Sequence, residues 1–189
     1  MTTGEISFTP REVEKLLAAC NNIEDEVMVR LAVTTGIRRY DISHIKVANI
    51  GIQNDSMAWL HYTEKKKGDR NRSIPLQPDV TIKIKQHINA LGRVGIAKQK
   101  GYLFSWGKSR WGDKTAWYRL QDLCRRAEIP ERPFHAFRAT AIKMMQRAGY
   151  TIEEISSITG DTIDVIQRHY STPTLQELEE AVRTKTVIQ

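Results

Sequence analysis

Cysteine is scarce: Cys20 and Cys124 are the two in 189 residues, far apart and outside any CxxC spacing. That excludes a disulfide framework and a zinc-finger type of site, and it fits a reducing compartment. No run approaches the roughly 20 apolar residues that a bilayer-spanning helix needs. The opening MTTGEISFTP lacks the apolar core of a signal peptide. A cytoplasmic protein without a membrane partner is the expectation. There is no P-loop and no carboxylate cluster of the kind two-metal nucleases use. Internal repeats, low-complexity tracts and a linker that would divide the chain are absent too.

What remains is a globular composition, 40% hydrophobic and 27% charged, in a length that suits one domain with a good core. Lys and Arg number 29 against 22 Asp and Glu, a net charge of +7. That excess favours a polyanionic partner, with nucleic acid ahead of an anionic membrane surface.

Thr9-Pro10-Arg11-Glu12 reads as a helix start, with Thr9 as cap, Pro10 in the first turn and Glu12 closing a capping box. A second helix is expected over Glu24 to Thr35, stopped by Gly36, and a third short one from Arg39 carrying Ile42 and Ile45. The period then changes. Met57–Thr63 and Arg72–Leu76 alternate as two strands around the turn Glu64–Asn71, and a further strand over Ala48–Gln53 is expected to pair with them. Helices are expected again at Asp79–Leu91, closed by Gly92, and at Asp113–Arg126 with Asp113 as cap. Pro133–Ala148, Thr151–Thr159, Ile163–His169 and Leu175–Arg183 follow, with Gly95–Gly112 irregular around Tyr102-Leu103-Phe104. The expected fold class is α+β, mainly α: a helical domain with a small three-stranded antiparallel sheet.

Three short stretches carry candidate chemistry. In Thr35-Gly36-Ile37-Arg38-Arg39-Tyr40-Asp41-Ile42, Arg38 follows a helix-ending glycine at the mouth of the next helix, where a guanidinium and free N–H groups can cradle a phosphate. The alternative is a surface pair between Arg38 and Asp41. In His135-Ala136-Phe137-Arg138, a spacing of three places imidazole and guanidinium on one helix face, able to grip one phosphate. The alternative is a solvated histidine beside an unrelated arginine. Tyr170 lies ten residues after Gly160, and its phenol oxygen can attack a phosphodiester; the alternative is a packed core ring.

Taken in order, these stretches resemble the tyrosine recombinase family, which includes phage integrases and Xer resolvases. Thr35–Ile42 is similar to its T-G-L-R-x-x-E-L box, and His135–Ala141 to H-x-L-R-H-T-x-A. Gly160–Tyr170 matches the spacing of its L-G-H…Y box, and Lys66–Leu76 resembles the hairpin G-K-G-x-x-x-R-x-V-P-L. The resemblance runs from about Phe8 to Tyr170. Ala139 departs from the pattern, and Asp161 stands where the family usually has His or Trp. The family's separate N-terminal helical DNA-binding domain has no counterpart here, so residues 1–189 are expected to be one catalytic domain, with 172–189 serving protomer contacts.

The resemblance implies a site-specific recombinase or integrase that needs neither cofactor nor metal. Tyr170 would be the nucleophile, forming a 3′-phosphotyrosyl bond, with Arg38, Arg138 and His135 stabilising the phosphorane. Lys67 would protonate the leaving 5′ oxygen, its pKa lowered by Lys65, Lys66, Arg70 and Arg72. Asp161 completes the set, expected to turn away from the phosphate toward a base such as Arg168. Arg39, Lys65, Lys66, Arg70 and Arg72 are the expected DNA contacts. Double-stranded DNA is the implied partner, with self-association on it: a tetramer in the synaptic complex, a monomer or weak oligomer when free. Two other readings stay open, a type IB topoisomerase-like relaxation and a non-catalytic regulator using Thr151–Gln167 as a helix-turn-helix.

Overall fold

Eight α-helices, a 3-10 turn at Val47–Asn49 and five strands are seen among the described residues, which are 6–65, 68–93, 101–106, 109–170, 179 and 182–184 of a computed structural model. Helix α1 (Pro10–Ala18) begins as its sequence predicts: Thr9 Oγ1 accepts from the Glu12 N–H, and the Glu12 carboxylate accepts from the Thr9 N–H. Helix α2 (Ile23–Thr35) is the centre of the larger core. Val27, Met28, Val29, Leu31, Ala32 and Val33 are all buried, and a helix apolar all round belongs inside. It packs against α4 (Pro78–Arg93) and α6 (Ala136–Arg147).

Gly36 ends α2 in the left-handed conformation, φ 63°, and its N–H closes on the Ala32 carbonyl. Strands β1 (Ile50–Ile52), β2 (Ala58–Glu64) and β3 (Arg70–Leu76) form the expected antiparallel sheet in that order. The β2–β3 register pairs Leu60 with Ile74, Tyr62 with Arg72 and Glu64 with Arg70. Ala58, Leu60, Ile74 and Leu76 supply its buried face. A two-stranded ribbon, β4 (Ser105–Trp106) with β5 (Ser109–Arg110), precedes α5 (Thr115–Arg126).

Helices α7 (Ile152–Thr159) and α8 (Ile163–Tyr170) lie beyond α6 and share with it a second, smaller core of Ala139, Ile142, Met145, Ile155, Ile166 and Tyr170. Helix α6 is therefore the wall between two cores, which is what fixes the residues at its N-terminal end.

Several expected boundaries move. Helix α4 runs through Gly92, because packing of Val80, Ile84 and Leu91 outweighs a glycine penalty of about 1 kcal/mol. Asp113 does not cap α5; it pairs with Arg110 at 2.8 Å, and Lys114 precedes the helix without a side-chain cap. Helix α6 starts at Ala136, three residues after Pro133, with His135 at its cap position. Of the expected Leu175–Arg183 helix, positions 179, 182 and 183 are described, and these are helical.

Candidate active site

The short helix α3 (Arg39–Ile42) leaves the Gly36 stop with Arg38 at its cap. Four residues make little dipole, so Arg38 acts here through its guanidinium. That group forms ion pairs with Glu64 at the end of β2 and with Asp161, the latter at 3.5 Å from Nη2 to Oδ1. The surface pair with Asp41 is not what forms; Asp41 is buried and accepts from the Lys65 N–H at 3.4 Å. Burial, and then the charge of Arg138, pull Arg38 below the usual guanidinium value.

Arg138 projects from the first turn of α6 and is 2% exposed. Its Nε donates to Asp161 Oδ2 at 2.6 Å, and Nη1 donates to the Gly36 carbonyl at 2.7 Å. A Cβ on Gly36 would lie 3.2 Å from Arg138 Cγ, so the bare glycine is what lets the arginine cross that corner.

Asp161 therefore faces the two arginines. The expected turn toward Arg168 does not occur; Arg168 pairs with Asp164 one helical turn earlier, at 2.9 Å. The reason is burial: a guanidinium inside the protein needs a counter-charge far more than an exposed one.

Tyr170 ends α8. Its ring packs with Ile155 and Ile166, 5% exposed, while its hydroxyl lies 3.4 Å from His135 Nε2. A buried ring with its polar end at a partner is how tyrosine sits at a boundary. Burial first, and then the nearby Asp161 carboxylate, raise the phenol pKa; Arg138 and Arg38 oppose the shift.

Arg38, Arg39, His135, Arg138, Asp161 and Tyr170, named separately from distant stretches, line one cavity of about 600 Å³. Trp117 and His169 also line it. Two further groups belong to the site beyond the expected residues. Trp117 sits on α5 with no local signature, whereas Glu64 has one: it shares inward parity with Ala58 and Leu60, and an acid at such a position requires a buried partner.

The expected DNA contacts separate. Arg39 and Arg70 are exposed, as is Lys65, whose Nζ pairs with Asp69 at 3.0 Å. Lys66 and Lys67 lie outside the described residues. Arg72 requires correction: it is 7% exposed, pointing inward with Ile74 and Leu76, and its Nη2 donates to the carbonyls of Ser157 and Ile158. Among the described residues no three His, Cys, Asp or Glu side chains gather as a metal-binding group.

The family model described as Phage integrase family matches residues 7–176. The chain belongs to the phage integrase family. Tyrosine recombinase XerA of Pyrococcus furiosus is 25% identical over 189 residues, 97% of this chain and 63% of the relative. XerA of Pyrococcus horikoshii is 20% identical over 97% of this chain and 62% of its own length. The chain thus spans less than two thirds of the curated relatives it matches. Among solved integrase-family structures, XerA recombinase superposes with a TM-score of 0.79 at 19% identity, over 96% of this chain and 66% of that one. XerH bound to difH substrate before cleavage gives 0.72 at 15% identity, over 95% and 55%. The integrase-family catalytic fold, mainly helical with a small antiparallel sheet, is the fold of this chain.

Proposed function

We propose that the chain cuts and rejoins DNA strands as a site-specific recombinase or integrase, with Tyr170 as nucleophile. The observation that carries this reading is the meeting of the Tyr170 hydroxyl, His135, Arg38 and Arg138 in one cavity. A net charge of +7 and the recombinases among its relatives support the same conclusion.

The phenol oxygen attacks a backbone phosphorus, the bond to the 5′ oxygen breaks, and the strand is held as a 3′-phosphotyrosyl ester. Two guanidiniums and an imidazole supply donors where charge accumulates in the phosphorane. His135, next to the phenol, is placed to accept its proton. Lys67 takes the role of acid for the departing 5′ oxygen. The ester conserves the phosphodiester bond energy, so rejoining reverses the same steps and no nucleotide cofactor enters.

Asp161 already bonds both arginines, so an arriving phosphate competes with its carboxylate. We assign Asp161 the part of counter-charge to the clamp while DNA is absent. Arg39, Lys65, Lys66 and Arg70 contact the backbone on either side. Self-association on DNA, to a tetramer in the synaptic complex, and a cytoplasmic setting belong to the same reading. Relaxation of the topoisomerase type and a purely regulatory role are less favoured, because the relatives named above are recombinases and the phenol reaches the cavity.

A nicked suicide substrate, which loses a short product after cleavage, tests the reading. Accumulation of a denaturant-resistant protein–DNA adduct on a recombination-site duplex is expected. Absence of an adduct on any integrase-type site, with DNA bound, would contradict it.

A further inference from the structure

We propose that Arg72 is a positioning residue for strand cleavage: it pins the turn between α7 and α8, and so sets where Asp161 and Tyr170 stand. The proposal rests on the strand-cleaving reading above.

The alternation of β3 puts Arg72 on the inward face, opposite Tyr62. A guanidinium sent inside must find acceptors, and it finds them 85 and 86 residues further along the chain. Its Nη2 donates to Ser157 O at 2.6 Å and to Ile158 O at 2.8 Å. These carbonyls close α7, where a helix has no N–H donors left for its last carbonyls and carries its negative end.

The two carbonyls just before them are satisfied locally. Ile155 O accepts from Thr159 Oγ1 at 2.8 Å, and Ser156 O accepts from the Gly160 N–H at 2.8 Å. The long-range arginine thus supplies the part of the C-terminal cap that the local chain does not. It also lies against Gly160, at φ 78°: a Cβ there would sit 3.0 Å from Arg72 Cζ.

Asp161 follows directly. Its backbone carbonyl accepts from Ser156 Oγ at 2.7 Å, and its side chain reaches Arg138 at 2.6 Å. Helix α8 starts two residues later and ends at Tyr170. Arg72 touches the support of the site and lies outside the cavity lining. Both bonds come from one terminal nitrogen, Nη2, and a lysine would keep the charge but end one bond short of it.

Arg72→Lys and Arg72→Met in the 189-residue chain test this, with single-turnover cleavage of the nicked substrate at saturating DNA, Kd by titration and Tm. Arg72→Lys is expected to slow cleavage on the order of 10²-fold, the usual effect of misplacing a reacting group by about 1 Å, with Kd as in the parent. Cleavage at the parent rate per folded molecule, with Tm alone lowered, would reduce Arg72 to a structural residue and overturn the proposal. Should neither variant fold, Ser156→Ala removes one bond from the same turn. Slower cleavage at unchanged Kd supports the proposal, and the parent rate overturns it. A parent chain that forms no adduct sinks the strand-cleaving reading instead, a different result from an active parent indifferent to Arg72.

Discussion

Asp161 stands 2.6 Å from Arg138, carboxylate Oδ2 to guanidinium Nε, with both side chains buried and Arg38 at 3.5 Å from its other oxygen. The pair joins the start of α6 to the turn before α8, and through Gly36 O it joins both to the end of α2. Removing Arg138 leaves the buried Asp161 carboxylate with only the longer Arg38 contact, and Arg38 is shared with Glu64. Arg138→Met is therefore expected to lower stability by about 3–5 kcal/mol. The double variant Arg138→Met/Asp161→Asn should cost less than the sum of the two single changes, with a coupling of about 1–3 kcal/mol. Denaturant unfolding of the four proteins measures it, and simple additivity would show that the two side chains do not depend on each other.

Gly160 and Gly149 share a left-handed backbone, φ 78° and 84°, but differ in surroundings. A Cβ on Gly149 meets nothing within 4 Å, whereas one on Gly160 meets Arg72 at 3.0 Å. Gly149→Ala should cost about 1–2 kcal/mol from backbone strain alone. Gly160→Ala should cost more, and should slow cleavage as well. Equal losses of stability would mean that the guanidinium gives way freely.

The Tyr170 phenol is held protonated above its ordinary range, by burial first and by Asp161 second. Folding thus favours the neutral form. The stability this contributes is complete below the unfolded value of 10.0 and is lost as pH climbs through the raised folded value. Tyr62, also raised by burial, adds to the same alkaline loss. Tyr170→Phe should flatten the fall in stability above pH 10 but not abolish it, as read by unfolding across an alkaline series. An unchanged slope would place the titration elsewhere.

The helices were legible where capping chemistry is local. Thr9 with Glu12 forms its capping box as the residue spacing predicts, Thr151 with Glu154 forms a second one at the start of α7, and Gly36 and Gly160 are left-handed stops. The sheet was legible through its period of two. Asp113 misled because a nearby arginine, Arg110, competes for the carboxylate, and Gly92 misled because packing carries a helix past a weak stop. Within the site, Arg38, His135, Arg138 and Tyr170 were legible as spaced boxes. The orientation of Asp161 was not, since it depends on Arg138, 23 residues earlier in the chain. Arg72 reads as a surface cation from its exposed basic neighbours, yet its parity on β3 aims it inward.

That parity has a consequence for DNA binding. Each lysine or arginine on a phosphate releases counterions, so its loss lowers the salt slope of log Kd by about 1. Arg39→Ala and Arg70→Ala are expected to do so. Arg72→Met, whose native side chain is spent on Ser157 and Ile158, is expected to leave the slope unchanged. A reduced slope in Arg72→Met would put that guanidinium back on the DNA.

The central claim is that the Tyr170 oxygen becomes covalently joined to DNA. Tyr170→Phe keeps the ring that packs against Ile155 and Ile166 and removes one hydroxyl whose described partner is His135 at 3.4 Å. Incubated with a labelled suicide substrate and resolved under denaturing conditions, the parent should give a shifted protein–DNA band whose labelled peptide contains Tyr170. The variant should bind the same DNA with the parent's affinity and give no band. An adduct that persists in Tyr170→Phe, or one that maps to another residue such as His169 or Tyr150, would contradict the account.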